Sequence, residues 1–186
     1  MWLKIIIVLL VVTQPFLLFA QKNKPGFQSI VQGGILEGER GTSFQLQIIN
    51  GIKYRTWSTG IGVGLDHYHT RSIPLFLDLR KTIFRETQTP FIYASAGYHF
   101  PWTRPKDALM WSNENAKGGI YYDAGIGYQF AFLKRNSLFF SAGYSYKKFS
   151  QEVAQYVYCF VGPCPEHKQT FEYQVRRLSI KTGLRF

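Results

Sequence analysis

The sequence predicts an all-β fold, an eight-stranded antiparallel up-and-down transmembrane β-barrel preceded by a signal peptide. Three observations carry that prediction. Apolar and polar residues alternate with period two along almost all of the chain after residue 25, which places two chemistries on opposite faces of strands. The composition is 46% hydrophobic and 17% aromatic but only 18% charged, against about 25% charged residues in an ordinary soluble domain. One long apolar run exists, at the N-terminus, whereas a polytopic helical membrane protein needs several runs of about 20 apolar residues. The wealth of Phe and Tyr excludes a disordered chain. Two Cys exclude a disulfide-dense scaffold and a four-Cys zinc site.

In chain order, Lys4 precedes an apolar core from Ile5 to Val12, followed by Pro15 and a short stretch ending at Ala20. This is the layout of a signal peptide over 1–20, cleaved between Ala20 and Gln21, and it leaves 21–186 as the barrel domain. No Cys follows the apolar run, so a lipoprotein is not expected. Eight alternating segments follow, at 27–36, 43–50, 54–67, 72–84, 90–100, 119–132, 137–149 and 172–186. In the third, Thr59, Ile61, Val63 and Leu65 oppose Ser58, Gly60, Gly62, Gly64 and Asp66. In the fourth, Ile73, Leu75, Leu77 and Leu79 oppose Pro74, Phe76, Asp78 and Arg80. The sixth reads IYYDAGIGYQFAF, with Ile120, Tyr122, Ala124, Ile126, Tyr128, Phe130 and Phe132 on one face and Tyr121, Asp123 and Gln129 among the residues on the other. The seventh sets Leu138, Phe140, Ala142, Tyr144 and Tyr146 against Phe139, Ser141, Gly143, Ser145 and Lys147.

The connectors are asymmetric. Asn50-Gly51 reads as a hairpin turn, and Arg85–Thr89 and Lys134–Ser137 are short, all on the side where the chain enters. The long connectors, 101–118 and 150–171, lie on the other side, rich in Pro, Asn and Lys. Outer-membrane barrels have short periplasmic turns and longer extracellular loops. A soluble barrel would carry an apolar interior and a charged exterior, and a membrane barrel reverses this. Here the polar face is mostly Gly, Ser, Ala and Gln with isolated charges, small enough for an eight-strand interior. The apolar face carries aromatics near strand ends: Tyr98 and Phe100, Tyr128 and Phe130, Tyr144 and Tyr146, with Trp57 and Trp102 nearby.

The chain ends RRLSIKTGLRF, with Leu178, Ile180, Thr182, Leu184 and Phe186 on one face. This resembles the C-terminal assembly signal of Gram-negative outer-membrane barrels. Together with the signal peptide, the alternation and the loop asymmetry, it makes residues 25–186 resemble the small OmpA/OmpX-type barrels, of the kind abundant in Bacteroidetes. The resemblance implies a location in the outer membrane, contact with its lipid and lipopolysaccharide, and insertion by the barrel assembly machinery. Some barrels of this type are lipid A deacylases or acyltransferases that use His and Ser at the membrane edge. His67, His69 and Ser72 lie where the third and fourth segments meet. They form a candidate Ser–His pair or, through the two His, a candidate metal site, although the His-Ser dipeptide of the deacylases is missing.

The other constellations have plainer readings. Asp66, Asp78 and Asp123 share the inner face with Arg80, Lys147, Arg177, Lys181 and Arg185. In a narrow lumen these charges must be paired, so they are expected to form a plug of salt bridges; a narrow ion path is the alternative. Cys159 and Cys164 flank Phe-Val-Gly-Pro and, in an exported chain, form a candidate disulfide; a zinc site with His167 would lack a fourth ligand. The net charge of +11 suggests nucleic acid at first sight. Its placement argues otherwise, because Lys53, Arg55, Lys81, Arg85, Lys134 and Arg135 cluster at the short turns and no basic stripe with interleaved aromatics appears. Arg104, Lys106 and Arg176 are positioned to meet lipopolysaccharide phosphates. The expectation is therefore a monomeric outer-membrane barrel without cofactor, nucleic-acid role or catalysis. It would act structurally or through an extracellular ligand at loops 101–118 and 150–171. A lipid A-modifying enzyme and a narrow channel are the alternatives.

Overall fold

The computed structural model describes residues 25–38, 41–67, 71–86, 88–102, 112–131, 136–156 and 166–186, the side chains of 112–116, 151–156 and 166–168 excepted. The signal-peptide segment 1–20 lies outside them. The strands are β1 (Gly26–Glu37), β2 (Ser43–Tyr54), β3 (Trp57–His67), β4 (Arg71–Thr82), β5 (Thr89–Pro101), β6 (Ser112–Lys117), β7 (Gly119–Ala131), β8 (Ser137–Tyr156) and β9 (Glu166–Arg185). Every pairing is antiparallel. β1 to β5 pair in sequence, then β5 with β7, β7 with β8 and β8 with β9. β9 returns to β1, from Ile30↔Arg185 to Glu37↔Leu178, and closes the sheet. Closure removes the exposed edges that a flat sheet would present.

Although the described residues form nine strand segments, the barrel has eight staves, because β6 and β7 run along the same edge of β8. Lys117 faces Ser150 and Tyr121 faces Lys147, so three residues on one side oppose two on the other. This is a β-bulge, and it falls at Gly118-Gly119, where a Cβ on Gly119 would overlap the Lys148 carbonyl.

Two expectations are corrected. Asn50-Gly51 is not a turn. β2 continues through it to Tyr54, and the hairpin loop is Arg55-Thr56, closed by the Tyr54↔Trp57 pair. A turn dipeptide breaks a strand only if the alternation also breaks. Here Ile49 stays inside and Ile48 and Ile52 outside, while Gly51 serves a close approach in which a Cβ would overlap the Thr59 carbonyl. Arg55 takes the left-handed conformation, with φ 56°, that the first residue of some two-residue hairpin loops requires. The second correction concerns the long connectors, parts of which are strand. β6 lies within 101–118, and β8 and β9 pair on to Tyr156↔Glu166, well past the last β1–β9 pair. Polar residues hid this extension, since alternation marks a strand only where one of its faces is apolar. Residues 103–111 and 157–165 lie outside the described residues.

The wall separates the two chemistries. Outside, Ile48, Ile61, Val63, Leu77, Ile126 and Ile180 form an exposed aliphatic belt. Aromatics border it at both ends. Toward the long connectors stand Tyr98 and Phe100, with centroids 5.2 Å apart, and the stacked pair Tyr122–Tyr146 at 4.8 Å. Toward the short turns stand Tyr128–Phe130 at 4.8 Å, and Trp57 beneath the Lys81 ammonium. Inside, an apolar layer of Ile30, Ile49, Phe76, Phe91, Tyr93, Tyr121 and Phe139 is buried. Glycines across the strands make room for it: Cβ atoms at Gly62 or Gly127 would overlap the rings of Phe76 and Phe91.

Candidate functional site: the ion-paired lumen

Asp66, Asp78, Arg80, Asp123, Lys147, Arg177, Lys181 and Arg185 are all buried. Each occupies an inward position of an alternating strand, so the pleat brings them to one space. Near the long-connector end, Lys147 Nζ pairs with Asp66 and also donates to Ser72 Oγ at 3.1 Å. Arg177 donates to Ser43 Oγ. At mid-height Asp123 accepts from Tyr93 Oη at 2.8 Å and from Lys181 Nζ at 2.7 Å. Toward the short turns Arg80 Nε meets Asp78 at 2.8 Å, while Ser95 Oγ donates to the other Asp78 oxygen at 2.8 Å.

Neutral groups join these pairs across the lumen. Arg80 Nη2 donates to Gln32 Oε1 at 2.8 Å, Gln32 donates to Gln47, and Gln47 Nε2 donates to Tyr121 Oη at 2.9 Å. The cations also sit over aromatic faces, Arg80 at 5.1 Å from the Phe139 centroid, Lys181 at 4.6 Å from Tyr93 and Lys147 at 5.4 Å from Tyr121. Such contacts gain strength where water is excluded. Each buried carboxylate thus has one cation partner, which offsets the several kcal/mol that desolvating each ion costs.

The aromatic layer was not anticipated from the sequence, although its signal was present: Phe76, Tyr121 and Phe139 share the inward parity of the charged residues. His99 was missed as well. It is buried, with Nε2 3.0 Å from the Lys148 carbonyl oxygen and its ring edge-on to Phe149.

The remaining predicted residues divide by face. Leu178, Ile180, Thr182, Leu184, Phe186 and Arg176 lie at strand positions whose alternation separates the outer apolar face from the lumen, with Leu178, Ile180, Leu184 and Phe186 exposed outside. Arg176 and Thr182 are exposed on that outer face as well, and Thr182 donates from Oγ1 to the Phe139 carbonyl at 3.2 Å. His67 is exposed on the outer face too, whereas Ser72 is buried inside, opposite Asp66 in register. The wall stands between them, so they do not form the Ser–His pair. His69, Arg104, Lys106, Cys159, Cys164, Lys134 and Arg135, and the His167 side chain, lie outside the described residues. Among the described residues no group of three His, Cys, Asp or Glu could hold a metal.

A closed eight-stranded antiparallel barrel with an apolar outer belt is the fold of several solved outer-membrane proteins. OprG from Pseudomonas aeruginosa superposes with a TM-score of 0.61 at 10% identity, over 86% of this chain and 94% of OprG. Neisserial surface protein A gives 0.54 at 12% identity, over 87% and 97%. A major outer-membrane protein from Thermus thermophilus gives 0.51 at 13% identity, over 87% and 99%. At such identities the likeness is one of fold. No protein-family model matches the chain, and no curated protein matches it in sequence.

Proposed function

We propose that the protein is an integral outer-membrane β-barrel of the OmpA/OmpX-like type, exported through the cleaved segment 1–20, with a structural or surface-interaction role and no catalysis. The observation that carries this reading is the inverted wall. Ile61, Leu77, Ile126, Leu178 and Ile180 are each more than three-fifths exposed on the outside, while the ions are inside. In water so large an apolar surface would drive aggregation; in a bilayer it is the lipid face. The solved outer-membrane proteins with this fold support the same location.

Within this reading the lumen network is a plug that fixes strand register, since Asp66 and Asp123 find Lys147 and Lys181 only when the staves are correctly aligned, and Arg80, paired with Asp78 on its own strand, reaches Gln32 of β1 only then. The outward C-terminal face serves the assembly machinery. Arg176, with Arg104 and Lys106, meets lipopolysaccharide phosphates, and the loops carry any extracellular ligand. The separation of His67 from Ser72 supports a non-catalytic wall, and the ion pairs across the lumen support a closed one. Heat-modifiability of the protein in outer-membrane fractions tests the reading: a band that shifts on boiling is expected, and a soluble periplasmic product would overturn it. Unchanged lipid A mass spectra with and without the protein, and silence in planar bilayers, are the outcomes expected for a non-catalytic, plugged barrel.

A further inference from the structure

The lumen is not electrically balanced. Among the described residues the buried ions are three Asp against five Lys and Arg, and the imbalance becomes specific at the short-turn end. There Arg185 is 5% exposed and donates from Nη1 to the neutral Gln129 Oε1 at 2.7 Å, while its Nε and Nη2 have no acceptor among the described residues. Beside it Arg80 is committed to Asp78, yet its Nη1 also lacks an acceptor among the described residues. Lys53 faces inward at the same mouth and feels the like charge of Arg185. A desolvated guanidinium with two idle donors is costly unless an anion meets it.

A cavity of about 190 Å³ opens at this mouth, lined by Lys53, Arg55, Thr82, Phe84, Arg85 and Glu86. Three of those six are cations and one is a carboxylate. The two adjacent short connectors supply Arg55 and Arg85, and Arg55 is held in the left-handed conformation with its guanidinium over the Tyr54 ring. Guanidinium groups present planar forks of N–H donors that suit phosphate oxygens better than a spherical ion. The volume suits a small oxyanion with a few waters, at about 30 Å³ of liquid per water, and not an oligosaccharide.

We propose that the short-turn mouth of the barrel is a binding site for a phosphate-type oxyanion, gripped by Lys53, Arg55 and Arg85. Free phosphate and the phosphate of a phospholipid headgroup share this chemistry, and Phe84, exposed beside the cations, lines the same mouth. The site is a property of the folded barrel and does not depend on where the barrel resides.

The test uses the purified full-length barrel in a phosphate-free maltoside detergent. Inorganic phosphate is titrated at constant ionic strength, with chloride as the balancing anion, and binding is read by calorimetry. In a second arm, native mass spectrometry follows retention of short-chain phosphatidylglycerol. Saturable phosphate binding is expected, weakened roughly tenfold or more in the Lys53→Gln/Arg85→Gln double variant, the loss expected when charge-assisted contacts are removed. Those residues stand outside the lumen ion pairs, so the variant is expected to keep its heat-modifiable fold even if Arg185→Gln does not. Retention of the lipid without binding of free phosphate, lost in the double variant, would assign the site to a headgroup. Binding of neither, or equal binding by the double variant, would overturn the proposal.

Discussion

The two faces of the same wall are held by different physics. On β7, Asp123 is fully buried, while Ile126, three residues further on, is 67% exposed. Inside, each charged residue depends on one or two particular partners, so identity and geometry matter together. Outside, a belt of Ile, Leu and Val is stabilised by its surroundings, to which any apolar side chain of similar size contributes alike, at about 25 cal/mol per Å². A soluble barrel would reverse the faces. The difference teaches that in this chain specificity is written on the polar face, and that the apolar face states only the solvent.

The sharpest way to break that contrast is at Asp123. Its carboxylate takes Tyr93 Oη and Lys181 Nζ, so Asp123→Ala leaves a buried ammonium without a counter-charge. A loss of about 3–5 kcal/mol is expected from denaturant unfolding in lipid vesicles. The double variant Asp123→Ala/Lys181→Met removes the charge as well as its partner and is expected to recover most of that loss. A loss no larger than that of an outer-face Ile→Val change would mean that the inner network does not hold the barrel.

The matching change outside is Ile126→Arg, which sets a charge on the outer apolar face, proposed to meet lipid, near mid-height. It is expected to cost about 2–4 kcal/mol in folding into vesicles, whereas Ile126→Leu should leave the folding free energy unchanged within error. An Ile126→Arg barrel that folds as well as the parent would show that this face does not meet hydrocarbon, and the membrane reading would fail with it.

How much of this was legible in the sequence follows from the same division. Period-two alternation is local, so the face of nearly every residue from Ser58 to Arg80 and from Ile120 to Lys147 could be read directly. The buried charged set followed from that parity. Which Asp meets which cation was not legible, because Asp66 and Lys147 are 81 residues apart and only barrel closure joins them. The turn at Arg55-Thr56 was missed because Asn50-Gly51 offered the stronger local signal, and the extension of β8 and β9 was missed because strands above the rim lose the apolar face that alternation detects. At the short-turn mouth, Lys53, Arg55 and Arg85 were visible as basic turn residues. Their convergence on one cavity needed the fold.

The smallest expected effect compares one methyl group on the two faces. Gly62 lies inside, cross-strand from Phe76, and a Cβ there would run into the edge of the Phe76 ring with Ile49 close behind. The ring has little room to retreat, since it packs edge-on against Tyr121 at 5.5 Å and the Tyr121 hydroxyl is held by Gln47. Gly33 lies outside, where a Cβ would make only ordinary contact, 3.7 Å from the Phe44 ring. Gly62→Ala is therefore expected to cost about 1–3 kcal/mol through overpacking, and Gly33→Ala to cost nothing measurable. Pairing Gly62→Ala with Phe76→Leu should return part of the loss, because the shorter side chain frees the space the methyl takes. Equal effects of the two Gly→Ala changes would mean that the inner face tolerates volume as freely as the outer one, and the contrast between the faces would then rest on charge alone.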